Sequence, residues 1–287
     1  MTEQRNARLR IAAFAAALPL VFGGAALAGA AIEPHGEDPT ARTAEQEDHM
    51  SAETAHAAEP DPVRGLAVAE DDLQVVVEQP ELRRGRTETL RFRIVDEHGE
   101  TVRDFDVTHE KRMHLIIARR DLTGFQHLHP ELAADGTWSA EVRLGTAGSY
   151  RLFADFSHDD EARTLAADLH VDGPAALRAL PAPRPAAVSD GGYDVRLDAG
   201  ATRPGREADL RFTITRDGVP VKTEPYLGAG GHLVALREGD MAFLHVHPMD
   251  DGVRFAATFP TAGRYRLFLQ FQHEGRVHTV AFTQEVS

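Results

Sequence analysis

The chain has 287 residues, with 31 Lys and Arg against 45 Asp and Glu, and a formal net charge of −14. That balance argues against nucleic acid as a partner. Cysteine is absent and histidine numbers 15, so disulfides and thiolate metal sites are excluded and any transition-metal site must draw on His, Met or carboxylate.

Residues 1–10 form a basic flank carrying Arg5, Arg8 and Arg10. An uncharged, largely apolar run follows over residues 11–32, long enough to cross a bilayer as a helix. The basic flank before it and the acidic stretch after it predict that the bulk of the chain lies outside the cytoplasm. Small-residue sites at Ala26–Ala28 and Ala28–Ala30 offer cleavage, in which case the run is a signal peptide and the protein is secreted. Residues 33–70 read as an acidic, disordered tether that includes His35, the pair His49-Met50 and His56. It is a solvated spacer or a mobile metal-capturing segment.

Residues 71–172 hold short alternating or apolar runs rich in β-branched and aromatic residues and punctuated by Gly, Asp and Pro, the pattern of a strand series in a sandwich. A Pro- and Ala-rich linker is expected over residues 173–192. Over residues 193–287 the pattern returns. "ADLRFTITRDG" matches "ETLRFRIVDEHG", "GGHLVALREGDMAFLHVHP" matches "RMHLIIARRDLTGFQHLHP", and "TAGRYRLFLQFQH" matches "TAGSYRLFADFSH". The chain therefore holds two homologous β domains. A Gly-x-Tyr ahead of an alternating strand is the sequence sign of a tyrosine corner, so the fold expected is all-β: two tandem Ig-like antiparallel sandwiches behind the N-terminal helix and tether. A jelly-roll or cupin-type barrel is the competing architecture.

The duplicated hairpin carries the chemistry. "LREGDMAF" predicts a turn with Gly239-Asp240 as a two-residue loop. That register sets His232 opposite His247 and diagonal to His245, with His245 and His247 on one face of their strand. The same 15-residue span in the first copy gives His114, His127 and His129. Three imidazoles on one strand-borne patch suit Cu, Zn or Ni. A fourth candidate in each copy is the histidine eight residues after the corner tyrosine, His158 and His273. These share parity with the apolar residues of their strand and so face inward. The bland alternative is a hydrogen-bonded sheet pair ended by proline. His109 reads as a loop residue whose counterpart is Leu227; His98, His170 and His278 read as surface. Met113 and Met249 adjoin the histidines, but on a strand Met113 points away from His114, and core filling is the simpler role.

Catalytic signatures are few. His-x-His opens the cupin metal motif, but Glu131 follows His129 too soon for that pattern, and no acid/base carboxylate recurs in both copies. A non-enzyme is expected. The phrases "VTHEKRMHLIIARRDLTGFQHLHP", "GTWSAEVRL" and "PYLGAGGHLVALREGDMAFLHVHP" resemble secreted or heavy-metal-binding envelope proteins of high-GC Gram-positive bacteria. More loosely, they are similar to YtkA-like and CopC-like β-sandwich modules of copper handling. That resemblance, over about residues 70–287, implies copper, as Cu(II) or Cu(I), or another heavy metal such as zinc. It places the metal at His114, His127 and His129 and at His232, His245 and His247. It departs from CopC-type sites, which use an N-terminal histidine. The reading is thus a cell-envelope copper-binding protein, a chaperone, buffer or sensor with one site per repeat, served by a copper transporter or chaperone. The alternative is an extracellular adhesion or interaction scaffold with structural histidines; a cupin-like metalloenzyme ranks third.

Overall fold

A computed structural model describes residues 63–244, 246–249 and 252–287, all within one unit, Ala57–Ser287. The anticipated membrane run and residues 33–62 of the tether, with His35, His49, Met50 and His56, lie outside the described residues, as does His245; the tether's last residues, 63–70, are described and end in a strand, Ala69–Glu70. Every regular element among the described residues is a strand. No helix there is long and apolar enough to cross a membrane.

The first repeat contains β1 (Ala69–Glu70), β2 (Leu73–Val77), β3 (Glu81–Leu82), β4 (Thr87–Val95), β5 (His114–Arg119), β6 (Gln126–Leu128), β7 (Glu131–Leu132), β8 (Trp138–Arg143), β9 (Gly148–His158) and β10 (Glu161–Val171). The second contains β11 (Ala186–Val188), β12 (Asp194–Asp198), β13 (Glu207–Arg216), β14 (Val219–Pro220), β15 (His232–Arg237), β16 (Phe243–Leu244), β17 (His247–Pro248), β18 (Arg254–Thr258), β19 (Gly263–His273) and β20 (Arg276–Val286). Each repeat is two sheets. In the first they run β1-β2-β4-β8-β7 and β3-β10-β9-β5-β6; in the second, β11-β12-β13-β18-β17 and β16-β15-β19-β20. Strand β11 falls inside the stretch expected as linker and pairs with β12. The sheets are antiparallel except where β3 runs parallel to β10.

Alternation decides what each sheet buries. Odd-numbered Leu115 and Ile117 of β5 join Leu152, Ala154 and Phe156 of β9 in the core of the first sandwich, around Trp138 and Phe92. Leu233 and Ala235 of β15 do the same with Leu267, Leu269 and Phe271 in the second. The corner tyrosines donate to backbone carbonyls four residues upstream, Tyr150 to Thr146 at 2.8 Å and Tyr265 to Thr261 at 2.9 Å. These are the tyrosine corners anticipated from the sequence.

The even-numbered faces of β5 and β15 are not solvated. Ile116, Ala118 and Phe153 pack with Val234, Leu236, Met241, Phe243 and Phe268 in a third core between the repeats. Its contacts come in equivalent pairs. Phe125 stacks on Phe268 at 4.1 Å, and the aligned pair Phe243 and Phe153 lies 5.7 Å apart. The seam therefore has the self-complementary character of a two-fold interface, made within one chain. The segment entering from the N-terminus is hydrogen-bonded to both sides. Gly65 N–H donates to Thr164 O in β10, and Phe243 N–H donates to Arg64 O. Gly65 has φ +68°, and a Cβ there would sit 2.7 Å from Phe153 and 2.9 Å from Phe243, so glycine is required on both counts.

The β15–β16 hairpin keeps the anticipated register, with Leu236 opposite Phe243. Its loop is longer than the expected two residues. Arg237 N–H bonds Ala242 O, leaving Glu238–Met241 as a four-residue turn. The Asp240 carboxylate takes Nε of Arg237 at 3.0 Å, and Met241, at φ +64°, drops its side chain into the inter-repeat core.

Candidate metal centre

The first-repeat hairpin converges as its spacing implies. In β5 and β6, Leu115 faces Leu128 and Ile116 faces His127. The same register brings His129 opposite His114. His114, His127 and His129 each offer a ring nitrogen within 4.8 Å of the others. Ring centroids lie 5.3 Å apart for His114–His127, 5.2 Å for His114–His129 and 4.9 Å for His127–His129.

Partner chemistry constrains the tautomers. His114 Nε2 lies 3.1 Å from Thr108 O, a carbonyl that can only accept, so Nε2 carries the proton. His127 Nδ1 lies 2.6 Å from Gln270 Oε1, while the Gln270 amide nitrogen points to Thr279 Oγ1 at 3.4 Å. With the amide in this orientation, His127 carries its proton at Nδ1. The two remaining nitrogens, His114 Nδ1 and His127 Nε2, face each other at 3.1 Å. With the Gln270 amide as placed they meet as two lone pairs; with its O and N exchanged, His127 Nε2–H donates to His114 Nδ1. His129 adds a buried Nε2 with no hydrogen-bond partner among the described residues.

The rings do not take up a further proton near neutral pH. Burial, then the neighbouring His114, holds His127 down to about 3 and His129 down to about 4. Burial also lowers His114, against the opposing pull of Thr108 O and Asp155. The cluster is therefore neutral at pH 7, the state that ligates a cation. His129 also borders a surface cleft of about 440 Å³ whose walls include Glu131 and Glu141, an acidic approach for a positive ion.

The second hairpin behaves differently. His232, at the start of β15, turns toward the first-repeat trio. Its ring lies 4.8 Å from His127 and 5.5 Å from its own equivalent, His114, with the last two nearly parallel at 6°. Burial and the other imidazoles hold it well below the ordinary histidine range. His247 goes elsewhere. The chain leaves the facing sheet after Leu244, and β17 pairs His247 with Ala256 of β18 in the other sheet, where His247 is exposed. In the first repeat the aligned His129 and Pro130 lie between β6 and β7, before pairing to the other sheet begins. His232 and His247 therefore do not share a patch.

His158 and His273 point inward along β9 and β19 as their parity requires, which is why neither reaches the cluster. His114 pairs with Asp155 and His232 with Gln270, so the cluster occupies the opposite face of those sheets. His158 Nδ1 bonds Asp104 O at 2.9 Å, and His273 Nδ1 contacts the Tyr193 hydroxyl at 2.9 Å. His278, expected at the surface, is buried, its ring 4.6 Å from Tyr193. Met113 is buried in the first-repeat core, on the far side of β5 from His114.

Three participants were not foreseen. His109 sits at the second position of a tight turn closed by Thr108 and Lys111, with φ positive at His109 and Glu110. Leu227 and Gly228 form the equivalent turn between Tyr226 and Ala229. Paired positive φ values mark a type I′ turn, which holds the His109 ring 6.2 Å from His114 and 6.0 Å from His232. Thr108 and Gln270 supply the carbonyls that orient His114 and His127. For Gln270 a signal was present: it shares parity with Phe268, on the face of β19 away from the sandwich core.

The DUF8832 domain, a domain of unknown function, matches this chain twice, at residues 67–173 and 186–287. The chain belongs to the DUF8832 family. No curated protein matches it. Among solved structures, the Escherichia coli adhesin FdeC shares 15% identity, with 77% of this chain and 66% of that chain covered and a TM-score of 0.28. Salmonella alpha-2-macroglobulin reacted with methylamine shares 17%, covering 78% and 16%, at a TM-score of 0.28. A chimeric titin Z1Z2 shares 14%, covering 76% and 99%, at a TM-score of 0.19. The chain thus spans just under two thirds of the adhesin structure and about one sixth of the macroglobulin. Similarity this low carries no site residue onto this DUF8832 protein.

Proposed function

We propose that this DUF8832 protein binds a nitrogen-preferring transition-metal ion, copper first and zinc second, through His114, His127 and His129, and that it works outside the cytoplasm as a carrier or buffer. The observation that carries the reading is the convergence of His114, His127 and His129, whose ring nitrogens lie within 4.8 Å of one another. His114 Nδ1 and His127 Nε2 stand 3.1 Å apart, with Thr108 O and the Gln270 amide against the far nitrogens of the two rings. Nitrogens bound at about 2.0–2.1 Å to one tetrahedral ion stand about 3.3 Å apart. Metal-bound imidazoles characteristically donate their other N–H to a carbonyl or carboxylate, the arrangement that Thr108 O and Gln270 Oε1 supply. An imidazole set suits Cu and Zn, and copper leads the affinity order for such sites. The extracytoplasmic placement rests on the N-terminal basic and apolar pattern.

The test is a competition titration of the full-length, metal-free protein against a chromophoric chelator with Cu(II) and with Zn(II). Tight binding that falls by more than about 100-fold in His127→Ala, leaving only the background of the tether histidines, is expected. Wild-type affinity no better than that background would make the cluster a polar fastening of the inter-repeat seam, as in an interaction scaffold.

A further inference from the structure

We infer that His232 is the fourth imidazole of this same centre, so that the chain has one metal site built by both repeats and the ion fastens the second repeat to the first. This rests on the reading of the first-repeat trio as metal ligands.

Imidazoles sharing one tetrahedral ion have ring centres about 5 Å apart, since each nitrogen lies about 2 Å from the metal and the ring centre about 1 Å beyond it. Five separations in the cluster fall at that distance: 4.8 Å for His127–His232, 4.9 Å for His127–His129, 5.2 Å for His114–His129, 5.3 Å for His114–His127 and 5.5 Å for His114–His232. His232 stands at ring-centre distances from His114 and His127 like those of His129, with its nitrogens outside the 4.8 Å group that the first-repeat trio forms.

The surroundings of His232 point the same way. It opens β15, and its directly paired neighbour on β19 is Gln270, whose Oε1 orients His127. The second repeat therefore contributes both a ring and an anchoring carbonyl from adjacent positions on one sheet face. No hydrogen bond to either ring nitrogen of His232 is present among the described residues. Within its own repeat it cannot rebuild the trio geometry, because His247 pairs into the other sheet. The apolar seam formed by Ile116, Phe153, Val234 and Phe268 adjoins the cluster and holds the two sets of ligands in place.

The experiment compares wild type, His232→Ala, His232→Gln and His127→Ala as full-length proteins with Zn(II) alone and Cu(II) alone. Affinity comes from chelator competition and local stability from hydrogen exchange. Metal-free thermal unfolding verifies that each variant is folded, and His232→Gln keeps a polar side chain at the seam should alanine loosen it. Both His232 variants should bind at least about 10- to 100-fold more weakly, the loss that even a ligand-orienting partner causes. Zinc should slow exchange of the Leu233–Leu236 amides in wild type but not in these variants. Wild-type affinity in the His232 variants, with binding lost in His127→Ala, would overturn the shared site and leave the trio standing. Absence of tight binding in wild type would overturn the trio itself.

Discussion

"FQHLHP" and "FLHVHP" are near-copies in sequence and diverge in structure. In the first repeat the hairpin stays in the facing sheet long enough to present His127 and His129 beside His114. In the second the facing-sheet pairing ends at Leu244, and His247 is registered against Ala256 in the opposite sheet. Two further asymmetries concentrate the polar groups on one side. The turn residue is His109 in one copy and Leu227 in the other, and the strand position facing the hairpin histidine is Asp155 in one and Gln270 in the other. Asp155 is taken up by Thr164, whereas Gln270 reaches across the seam to His127. Duplication supplied two sets of histidines, and a self-complementary seam brought His232 beside the first set as one cluster.

The sharpest way to break this comparison is to remove the matched histidines. His127→Ala should abolish tight metal binding, a loss of more than about 100-fold, whereas His247→Ala should stay within about twofold of wild type by chelator competition. Equal losses would restore the symmetry that the strand switch denies.

The seam that joins the copies is next. Gly65→Ala places a methyl against Phe153 of one repeat and Phe243 of the other at a positive φ. Overpacking and backbone strain together should cost about 2–4 kcal/mol, measured by urea unfolding of the metal-free protein. A cost below about 0.5 kcal/mol would show that the entering segment is not part of the interface.

Gln270→Ala removes the second repeat's hold on His127. Metal affinity should fall about 10- to 100-fold with the trio intact. Gln270→Glu, which keeps an acceptor for the His127 proton, should recover much of it.

The smallest effect is a pH dependence of the metal-free protein. Burial lowers His127 to about 3 and His129 to about 4, below the ordinary value near 6.5, so the unfolded chain binds more protons between those limits. The stability that these rings contribute is complete above about pH 6.5 and is lost as pH falls toward 3–4. Urea midpoints should drop between pH 6.5 and 5, and His127→Gln should flatten that slope. An unchanged slope in the variant would mean that His127 titrates normally.

Much of this was readable beforehand. The alternation of "SYRLFADFSH" and "RYRLFLQFQH" gave the core face of β9 and β19, and the internal match gave two sandwiches with their tyrosine corners. The 15-residue hairpin span gave the register that unites His114, His127 and His129. The hidden part is tertiary. Ile116, Phe153, Val234 and Phe268 sit on strands with apolar residues on both faces, a pattern that shows both faces are covered but not by what. Because the covering surface is the other repeat, His232 joined the first cluster rather than founding a second. His158 and His273 followed their parity correctly into the sandwich interiors, which is the face where the cluster is not. The sheet switch at His247 depends on pairing with β18, a contact that local spacing does not encode.

The central claim, one shared centre from two repeats, is tested most directly by native mass spectrometry of the full-length chain loaded with limiting Cu(II) or Zn(II), then challenged with chelator. One retained ion per chain, lost on substitution of either His127 or His232 by alanine, is the predicted result. Two retained ions lost independently, one on His127→Ala and one on His247→Ala, or none at all, would contradict it.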